Sequence, residues 1–240
     1  MKSETAIDGV LCIDKAPDMT SHDVVAITRR SLDTKKVGHC GTLDPMATGL
    51  LIITIGRGTK IQDLLMSEDK EYIGTLKLGQ TTDSQDAQGQ ITSEKPVPAF
   101  SREQIEAAFS KFHGDFYQTP PMVSAIKKDG VPLYKLARQG KEVVREPRFV
   151  HVYAHEILAI RPDEIDFRVV CSKGFYVRTY TFDIGEELGC GAHLKALRRT
   201  KSGRFSVEGA LTVADLKTLP KETLAGRVLS LPAVSRLRGA

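Results

Sequence analysis

The chain has 240 residues, of which 41% are hydrophobic and 27% charged, and its formal net charge is +4 at pH 7. This composition provides enough apolar residues for a sizeable core and excludes a disordered chain. The longest apolar stretch, Leu50 to Ile55, is far shorter than the roughly 18 residues that a membrane span requires. Because the N-terminus is polar and resembles no export signal, we expect a cytoplasmic protein without membrane contact.

The first predicted elements surround a loop with unusual backbone requirements. Val10 to Ile13 has the pattern of a short buried strand, and Thr20 with Asp23 forms a capping box that predicts a helix. The segment from Lys35 to Gly49 contains Gly38, Gly41, Pro45 and Gly49 and predicts a loop. The apolar residues Leu50 to Ile55 then predict a strand.

The middle and C-terminal parts alternate between strand and helix patterns. We predict a strand at Tyr72 to Leu78, an exposed polar loop at Gly79 to Gly89, and a helix after the Ser101 and Gln104 capping box. A half-buried strand at Ile165 to Cys171 and a helix at Thr181 to Leu188 follow. No Gly-rich GxGxxG turn joins a strand to a helix, so we predict an α+β domain with a large mixed, mostly antiparallel sheet flanked by helices.

Positive charge is concentrated in two stretches of the sequence. Between Met122 and Arg148 three acidic residues accompany seven basic ones, which are Lys127, Lys128, Lys135, Arg138, Lys141, Arg145 and Arg148. The second stretch has no acid within it and contains Lys195, Arg198, Arg199, Lys201 and Arg204. Two separated basic stretches fit a phosphate-backbone partner, although solvated surface charge is the alternative explanation.

Asp44 stands out as a candidate functional acid. It lies in a glycine-bounded loop before Pro45, which biases its backbone toward extended angles and presents the side chain. The alternative is structural: Asp44 would be the N-cap of a short helix with Pro45 at the first helical position and Gly49 beyond the end. Spacing alone favours the cap.

The motif around Asp44 resembles the catalytic motif of the TruB family of tRNA pseudouridine synthases. The similar residues are Gly41-Thr42-Leu43-Asp44-Pro45 and Ala47-Thr48-Gly49-Leu50-Leu51. The likeness extends to Lys15 with Met19-Thr20-Ser21, to Tyr72, to Gln118-Thr119-Pro120-Pro121, to Cys171 through Thr179, and to Gly189 through Arg199. The resemblance implies a pseudouridine synthase fold in a single catalytic domain, 1–240, with a basic RNA-clasping insertion at about 120–148.

The resemblance also implies roles for individual residues. Asp44 would be the catalytic carboxylate, paired with Arg178, and Tyr72 would stack on the uracil and relay a proton. His39 would fill the gap left by the flipped nucleotide, and Leu197 would pack against the base. Further RNA contacts would come from Lys15, Lys127, Lys128, Arg138, Lys173, Arg198 and Arg199. Each has a plainer alternative: Arg178 as a surface arginine, Tyr72 and Leu197 as core residues, and His39 as a solvated side chain.

The sequence departs from the family pattern in two places. The first motif reads Lys15-Ala16-Pro17-Asp18, where the family has Lys-Pro-x-Gly, so the loop after Lys15 differs in sequence while Lys15 is kept. The chain also ends soon after Leu231-Pro232, and we expect the family's C-terminal PUA-like RNA-binding domain to be absent.

The function expected from the resemblance is isomerisation of uridine 55 in the T-loop of tRNA, by base flipping and an aspartate nucleophile. We expect a monomer whose partner is the tRNA T-stem-loop. The four cysteines show no CxxC pair and there is no phosphate loop, so we expect reduced thiols, no metal and no cofactor. Two alternatives remain: a guide-RNA-dependent pseudouridine synthase, and a non-catalytic RNA-binding or RNA-folding module.

Overall fold

The computed structural model describes residues 7–124, 127–128, 130–132 and 143–239. Its helices are α1 (Ser21–Ser31), α2 (Gln62–Met66), α3 (Arg102–Ser110), α4 (Val177–Glu187), α5 (Val213–Thr218), α6 (Lys221–Gly226) and α7 (Leu231–Arg238), with a 3-10 helix at Gly56–Ile61. Its strands are β1 (Gly9–Lys15), β2 (Val37–Cys40), β3 (Thr48–Ile55), β4 (Lys70–Leu78), β5 (Gln80–Thr82), β6 (Ile91–Glu94), β7 (Gly114–Gln118), β8 (Lys127–Lys128), β9 (Val131–Pro132), β10 (Arg148–Arg161), β11 (Glu164–Cys171), β12 (Ala192–Ser202), β13 (Phe205–Ser206) and β14 (Leu211–Thr212).

The chain forms two compact units, and the first comprises Met1–Tyr72 with Arg198–Ala240. Its strands follow the order β14-β1-β3-β12-β4, with β2 paired to β3 and β13 paired to β12. Strand β3 runs antiparallel to β1 and β2 and parallel to β12. The first unit therefore buries β3 at its centre, and from Gly49 to Ile55 every residue of that strand is buried.

The second unit comprises Ile73–Leu197 and therefore includes the other parts of β4 and β12. Its strand order is β12-β4-β11-β10-β7. Strand β10 is antiparallel to both β11 and β7. Helices α3 and α4 cover the apolar face of this sheet, where the rings of Phe109, Phe167 and Tyr180 meet at centroid distances of 5.7 to 6.0 Å. These aromatic contacts form the core of the second unit.

The predicted fold class is confirmed. Ten of the described strands belong to a mixed sheet, and most of their pairings are antiparallel. Both predicted capping boxes also form: the hydroxyl oxygens of Thr20 and Ser101 accept hydrogen bonds from the backbone N–H groups of Asp23 and Gln104, whose side chains accept in return. The strand patterns at β1, β4 and β11 are confirmed within two residues at each end.

Three local predictions were wrong. The predicted loop from Lys35 to Gly49 contains β2, which is short and only partly apolar and so carries little strand signal. The polar run from Gly79 to Gly89 contains β5 and is not uniformly exposed, because Thr81, Thr82 and Asp86 are buried. Helix α4 begins at Val177, four residues before the predicted start, because Arg178 and Thr179 are polar residues on a buried helical turn.

Gly49 lets β3 approach β12 closely. Its φ angle is +98°, and a Cβ atom at this position would lie 2.3 Å from the carbonyl oxygen of Arg199, its partner in the parallel register. Only glycine combines a positive φ with such close backbone approach. Gly49 thus fixes where the loop that carries Asp44 joins the sheet.

We predict that Gly49→Ala destabilises the protein by more than about 2 kcal/mol, because it adds a backbone clash to the usual cost of a left-handed residue. The matched control is Gly114→Ala. Gly114 has a φ angle of +76° but no atom within 4 Å of its added Cβ, so it should lose only about 1–2 kcal/mol. Denaturant unfolding of both variants measures the difference, and equal losses would contradict the close approach.

Candidate active site

The loop at 41–47 carries Asp44 between β2 and β3 without forming a helix. A single turn is closed by the N–H of Ala47, which donates to the carbonyl of Asp44 at 3.0 Å, and β3 begins at Thr48. The alternative in which Asp44 caps a helix is therefore wrong. Leu43 and Ala47 are buried on either side of Asp44, whereas Asp44 itself is half-buried. The loop turns its acid outward while its apolar residues hold it against the core.

Ser21 holds the residue just before Asp44. The backbone N–H of Leu43 donates to Ser21 Oγ at 2.9 Å, and Ser21 Oγ donates to the carbonyl of Leu43 at 3.2 Å. Both residues are almost completely buried, so water does not compete for these groups. Ser21 is the first residue of α1, so the capped helix fixes Ser21, and Ser21 in turn fixes the loop.

Lys15 holds the residue just after Asp44. Its Nζ donates to the carbonyls of Pro45, Met19 and Ala16 at 3.2, 2.8 and 2.9 Å. Burial lowers the pKa of Lys15 to about 8, and the nearby charge of Asp44 opposes that shift. The predicted RNA contact by Lys15 does not fit a residue with no exposed surface; its ammonium group instead ties the first motif to the Asp44 loop.

Arg199 holds both ends of the same loop. Its Nε donates to the carbonyl of Leu50 at 2.7 Å and one terminal nitrogen donates to the carbonyl of Gly41 at 3.0 Å. Only 1% of Arg199 is exposed, so the predicted contact between this residue and RNA is also wrong. A buried guanidinium needs hydrogen-bond acceptors, and the loop carbonyls provide them.

His39 lies on β2, two residues before the loop begins. Its ring packs edge-on against His22, with centroids 5.2 Å apart and planes at 81°. Burial, followed by the positive charges of His22 and Arg199, lowers the pKa of His39 to about 4, so the ring is neutral near pH 7. Its buried Nδ1 has no hydrogen-bond partner among the described residues.

Tyr72 lies on β4 and is 9% exposed. Its neighbour Glu71 accepts a hydrogen bond from Thr200 Oγ1 at 2.8 Å, and the adjacent Arg199 pairs with Gly49 on β3. One strand, β12, therefore separates Tyr72 from the end of the Asp44 loop, a lateral distance of roughly 10 Å. The first unit brings Lys15, His39, Asp44 and Tyr72 to one region of its sheet.

The second basic stretch of the sequence is largely neutralised in the fold. Arg198 makes a two-point hydrogen-bonded pair with Asp14 at 2.7 and 3.0 Å, and it remains partly exposed. Lys195 pairs with Glu164, and Lys201 lies 3.5 Å from Glu71. With Arg199 buried, this cluster is a weaker phosphate surface than the sequence alone indicates.

Arg178 lies in the first turn of α4 and is 4% exposed. In the second unit it donates to the carbonyls of Ser84 and Val123 at 3.0 and 2.7 Å and lies 3.5 Å from the carboxylate of Asp86. The alternative of a surface arginine is therefore wrong. The pairing of Arg178 with Asp44, which belongs to the first unit, stays a prediction.

Asp86 and Ser84 were missed by the sequence analysis because they lie in a polar run with the composition of an exposed loop. Ser84 Oγ donates to the Asp86 carboxylate at 2.6 Å, and the backbone N–H of Gln88 donates to the same oxygen at 3.0 Å. The run therefore folds around a buried acid that faces Arg178. Only the pairing of Asp86 with Arg178 in space marks this acid, because one acid among several polar residues is not distinctive in sequence.

Gln118 fixes the segment that leads into α4. Its side-chain amide donates to the carbonyl of Tyr176 at 3.1 Å and accepts from the N–H of Tyr176 at 2.8 Å. Lys173, a predicted RNA contact, is exposed in the preceding turn and forms no ion pair among the described residues. Leu197, the predicted neighbour of the base, is half-buried on β12.

Part of the predicted basic insertion, including Arg138, lies outside the described residues. Lys127 and Lys128 form β8, which pairs with β9 in a two-stranded hairpin. Elsewhere in the described chain, no cluster of three or more His, Cys, Asp or Glu side chains is arranged to hold a metal ion. Every helix among those residues is too short or too polar to cross a membrane.

Comparison with protein families matches most of the chain, including Asp44, Tyr72 and Arg178. Residues 29–177 match the TruB family pseudouridylate synthase N-terminal domain, and residues 178–231 match the tRNA pseudouridylate synthase B C-terminal domain. A protein of Opitutus terrae named tRNA pseudouridine synthase B is 55% identical over 93% of this chain and 92% of its own length. A protein of Syntrophotalea carbinolica with the same name is 46% identical over 96% of this chain and 75% of its own.

Solved structures show the same fold. A chain in a crystal structure of a Cbf5-Nop10-Gar1 complex has a TM-score of 0.69 and 32% identity over 87% of this chain, which spans 53% of the matched one. A chain of an archaeal box H/ACA Nop10-Cbf5 complex has a TM-score of 0.69 and 29% identity over 93% of this chain, which spans 60% of it. The present chain thus corresponds to little more than half of these longer proteins.

We predict that Ser21→Ala lowers the turnover number roughly tenfold to a hundredfold in the activity for which these relatives are named, with substrate affinity retained. The loss leaves two buried backbone groups of Leu43 unpaired and lets Asp44 shift, and misplacement by about 1 Å costs up to a hundredfold. Single-turnover rates at saturating substrate measure the effect.

Thr28→Val is the matched control for Ser21→Ala. Thr28 is also a buried hydroxyl of α1, but its Oγ1 donates only to the carbonyl of Val24 within the helix, at 2.8 Å. Its removal should lower the melting temperature without changing turnover. If both variants lose turnover in proportion to their loss of stability, Ser21 has no positioning role.

Proposed function

We propose that this chain, which belongs to the TruB family of pseudouridine synthases, isomerises uridine 55 in the T-loop of tRNA. It is an enzyme of the isomerase class, and its relatives named tRNA pseudouridine synthase B support tRNA as the substrate. One observation carries the proposal: the family's catalytic loop presents Asp44 while buried Ser21, Lys15 and Arg199 hold its backbone.

The proposed reaction needs no redox change and no external group. The bond from ribose C1′ to uracil N1 breaks, the uracil turns, and a bond forms from C1′ to C5. C5 then loses its proton and N1 gains one, so the product is an isomer of the substrate. A carboxylate at Asp44 would act as the nucleophile, toward either uracil C6 or ribose C1′, and divide one difficult step into two easier ones. The base must leave its stack before either atom is reachable.

Arg178 and Tyr72 would complete the site. A guanidinium beside a carboxylate favours its ionised form and restricts its orientation. Arg178 suits this role because Asp86 and two carbonyls of the second unit already fix its side chain. Tyr72 would stack on the uracil, with Leu197 packing against the base, and the phenol would relay the C5 proton.

His39 would occupy the space that the flipped nucleotide leaves. A neutral, half-buried imidazole, already packed against His22, can stack on the neighbouring bases without carrying a charge into the RNA loop. The basic insertion, with Lys127, Lys128 and Arg138, would clamp the phosphate backbone, and Lys173 and Arg198 would add contacts outside it.

Two other functions compete with this proposal. The Cbf5 structures come from complexes with Nop10, one of which also contains Gar1. These complexes suggest a guide-dependent enzyme, but their identity to this chain is 32% or less. The 55% identity to a relative that this chain spans almost completely favours the stand-alone enzyme. A non-catalytic RNA-binding module would leave Asp44 without chemistry.

We predict that Asp44→Asn forms no pseudouridine in a naked T-stem-loop transcript, although the purified wild type modifies it without guide RNA or protein partners. Asparagine preserves the shape and hydrogen-bonding positions of the loop, so binding and melting temperature should stay unchanged. Mass mapping of the transcript measures the product and its position.

Asp18→Asn is the control for the Asp44 substitution. Asp18 is an exposed acid with a φ of +58°, which asparagine tolerates, and its N–H donates to the carbonyl of Pro45. Asp18→Asn removes one negative charge beside the same loop, as Asp44→Asn does, and it should keep full activity. A product at normal rate from Asp44→Asn would contradict the catalytic role, and activity that requires a guide would favour the guided enzyme.

We predict that His39 contributes to RNA affinity without titrating. Because its pKa lies at about 4, the ratio of affinities between wild type and His39→Gln should be constant between about pH 5 and 8. Fluorescence binding to the T-stem-loop across this range measures the ratio. A ratio that changes around pH 6.5, the ordinary pKa of histidine, would show that a charged imidazole binds the RNA.

A further inference from the structure

Four exposed cations form a surface at the start of β2 that the sequence analysis did not single out. Lys35 and Lys36 immediately precede the strand, and Arg57 and Lys60 project from the 3-10 helix. The backbone N–H of Gly56 donates to the carbonyl of Lys36 at 2.8 Å, which joins the two segments. We call these four residues the β2 basic surface.

The β2 basic surface is held rigidly. In a 3-10 helix residues three apart lie above one another, so Arg57 and Lys60 share a face. A Cβ atom at Gly58 would lie 2.1 Å from the carbonyl oxygen of Gly9, so the turn is packed directly on the backbone of β1. Cations on such a turn lose little backbone entropy when they bind a ligand.

None of these four side chains forms an ion pair among the described residues. The carboxylate of Asp8, which lies just before β1, accepts a hydrogen bond from the backbone N–H of Arg57 at 2.7 Å. This differs from the second basic stretch of the sequence, where Lys195, Arg198 and Lys201 have acidic partners. Unpaired cations keep their attraction for an external anion, whereas paired ones have largely lost it.

The location of the β2 basic surface indicates its ligand. Lys36 directly precedes β2 and His39 is the third residue of that strand, so their Cα atoms lie roughly 10 Å apart. That distance matches about three nucleotides of a stacked strand at roughly 3.4 Å each. We propose that the β2 basic surface binds the ribose-phosphate backbone of the substrate RNA, about three nucleotides from the position that His39 contacts; this rests on the proposed function of the site.

The test is Lys36→Gln, Arg57→Gln and Lys60→Gln combined in one variant. Binding to the T-stem-loop transcript is measured between about 50 and 200 mM salt, where phosphate contacts dominate. We expect at least a tenfold weaker affinity and a logarithmic salt slope smaller by roughly 2 to 3, since each lost phosphate contact removes about 0.7 to 0.9. Turnover at saturating RNA should not change, because no residue of the catalytic loop is altered.

Two further variants keep the result decisive. One variant combines Arg102→Gln, Lys111→Gln and Arg236→Gln. It removes the same number of positive charges from α3, its C-cap position and α7, and it should leave the salt slope of RNA binding unchanged. The other variant combines Lys36→Arg, Arg57→Lys and Lys60→Arg. It keeps the positive charges, so its salt slope should equal that of the wild type. An unchanged slope in the first variant overturns the proposal, as does an equal loss in the Arg102, Lys111 and Arg236 variant.

The measurements separate this proposal from the function of the site. If the wild type makes pseudouridine and the first variant binds normally, only the β2 basic surface fails. If the wild type makes no pseudouridine but the first variant loses its salt slope, the enzymatic proposal fails while the RNA contact stands.

Discussion

The structure of the candidate site depends on hydrogen bonds to the main chain of one short loop. Ser21 binds Leu43, Lys15 binds Pro45, and Arg199 binds Gly41 and Leu50, so the backbone is held on both sides of Asp44. These partners are buried, where an unpaired polar group is costly, and each therefore favours a single loop conformation. The Asp44 side chain stays half-buried while the main chain on either side of it is held in place.

Buried cations changed the interpretation of several residues. The family resemblance predicts that Lys15 and Arg199 contact RNA. The fold uses them instead to satisfy carbonyl groups in a loop that has no helix or sheet partner of its own. Sequence identifies the residue type and its motif, but whether a lysine faces solvent or a buried carbonyl depends on contacts made across the chain.

The α+β class, the capped helices and the motif at Asp44 could be predicted from sequence because they depend on local signals. Capping boxes, period-2 strands and a glycine-bounded loop are all set within about ten residues. The polar run around Asp86 could not be predicted, because its burial depends on Arg178, more than ninety residues further along. The neutralisation of Lys195 and Arg198 has the same origin, since their acidic partners Glu164 and Asp14 lie far away in sequence.

Restraint through the main chain also affects how this loop can vary. Thr42 and Pro45 are exposed. The contacts that hold the loop use backbone carbonyl and N–H groups, and these groups remain when a side chain is replaced, except that proline has no N–H. Replacement of the Thr42 side chain should therefore leave the main-chain contacts of the loop intact. In this protein the position of the loop is set by main-chain contacts, whereas the chemistry of its exposed surface is set by its side chains.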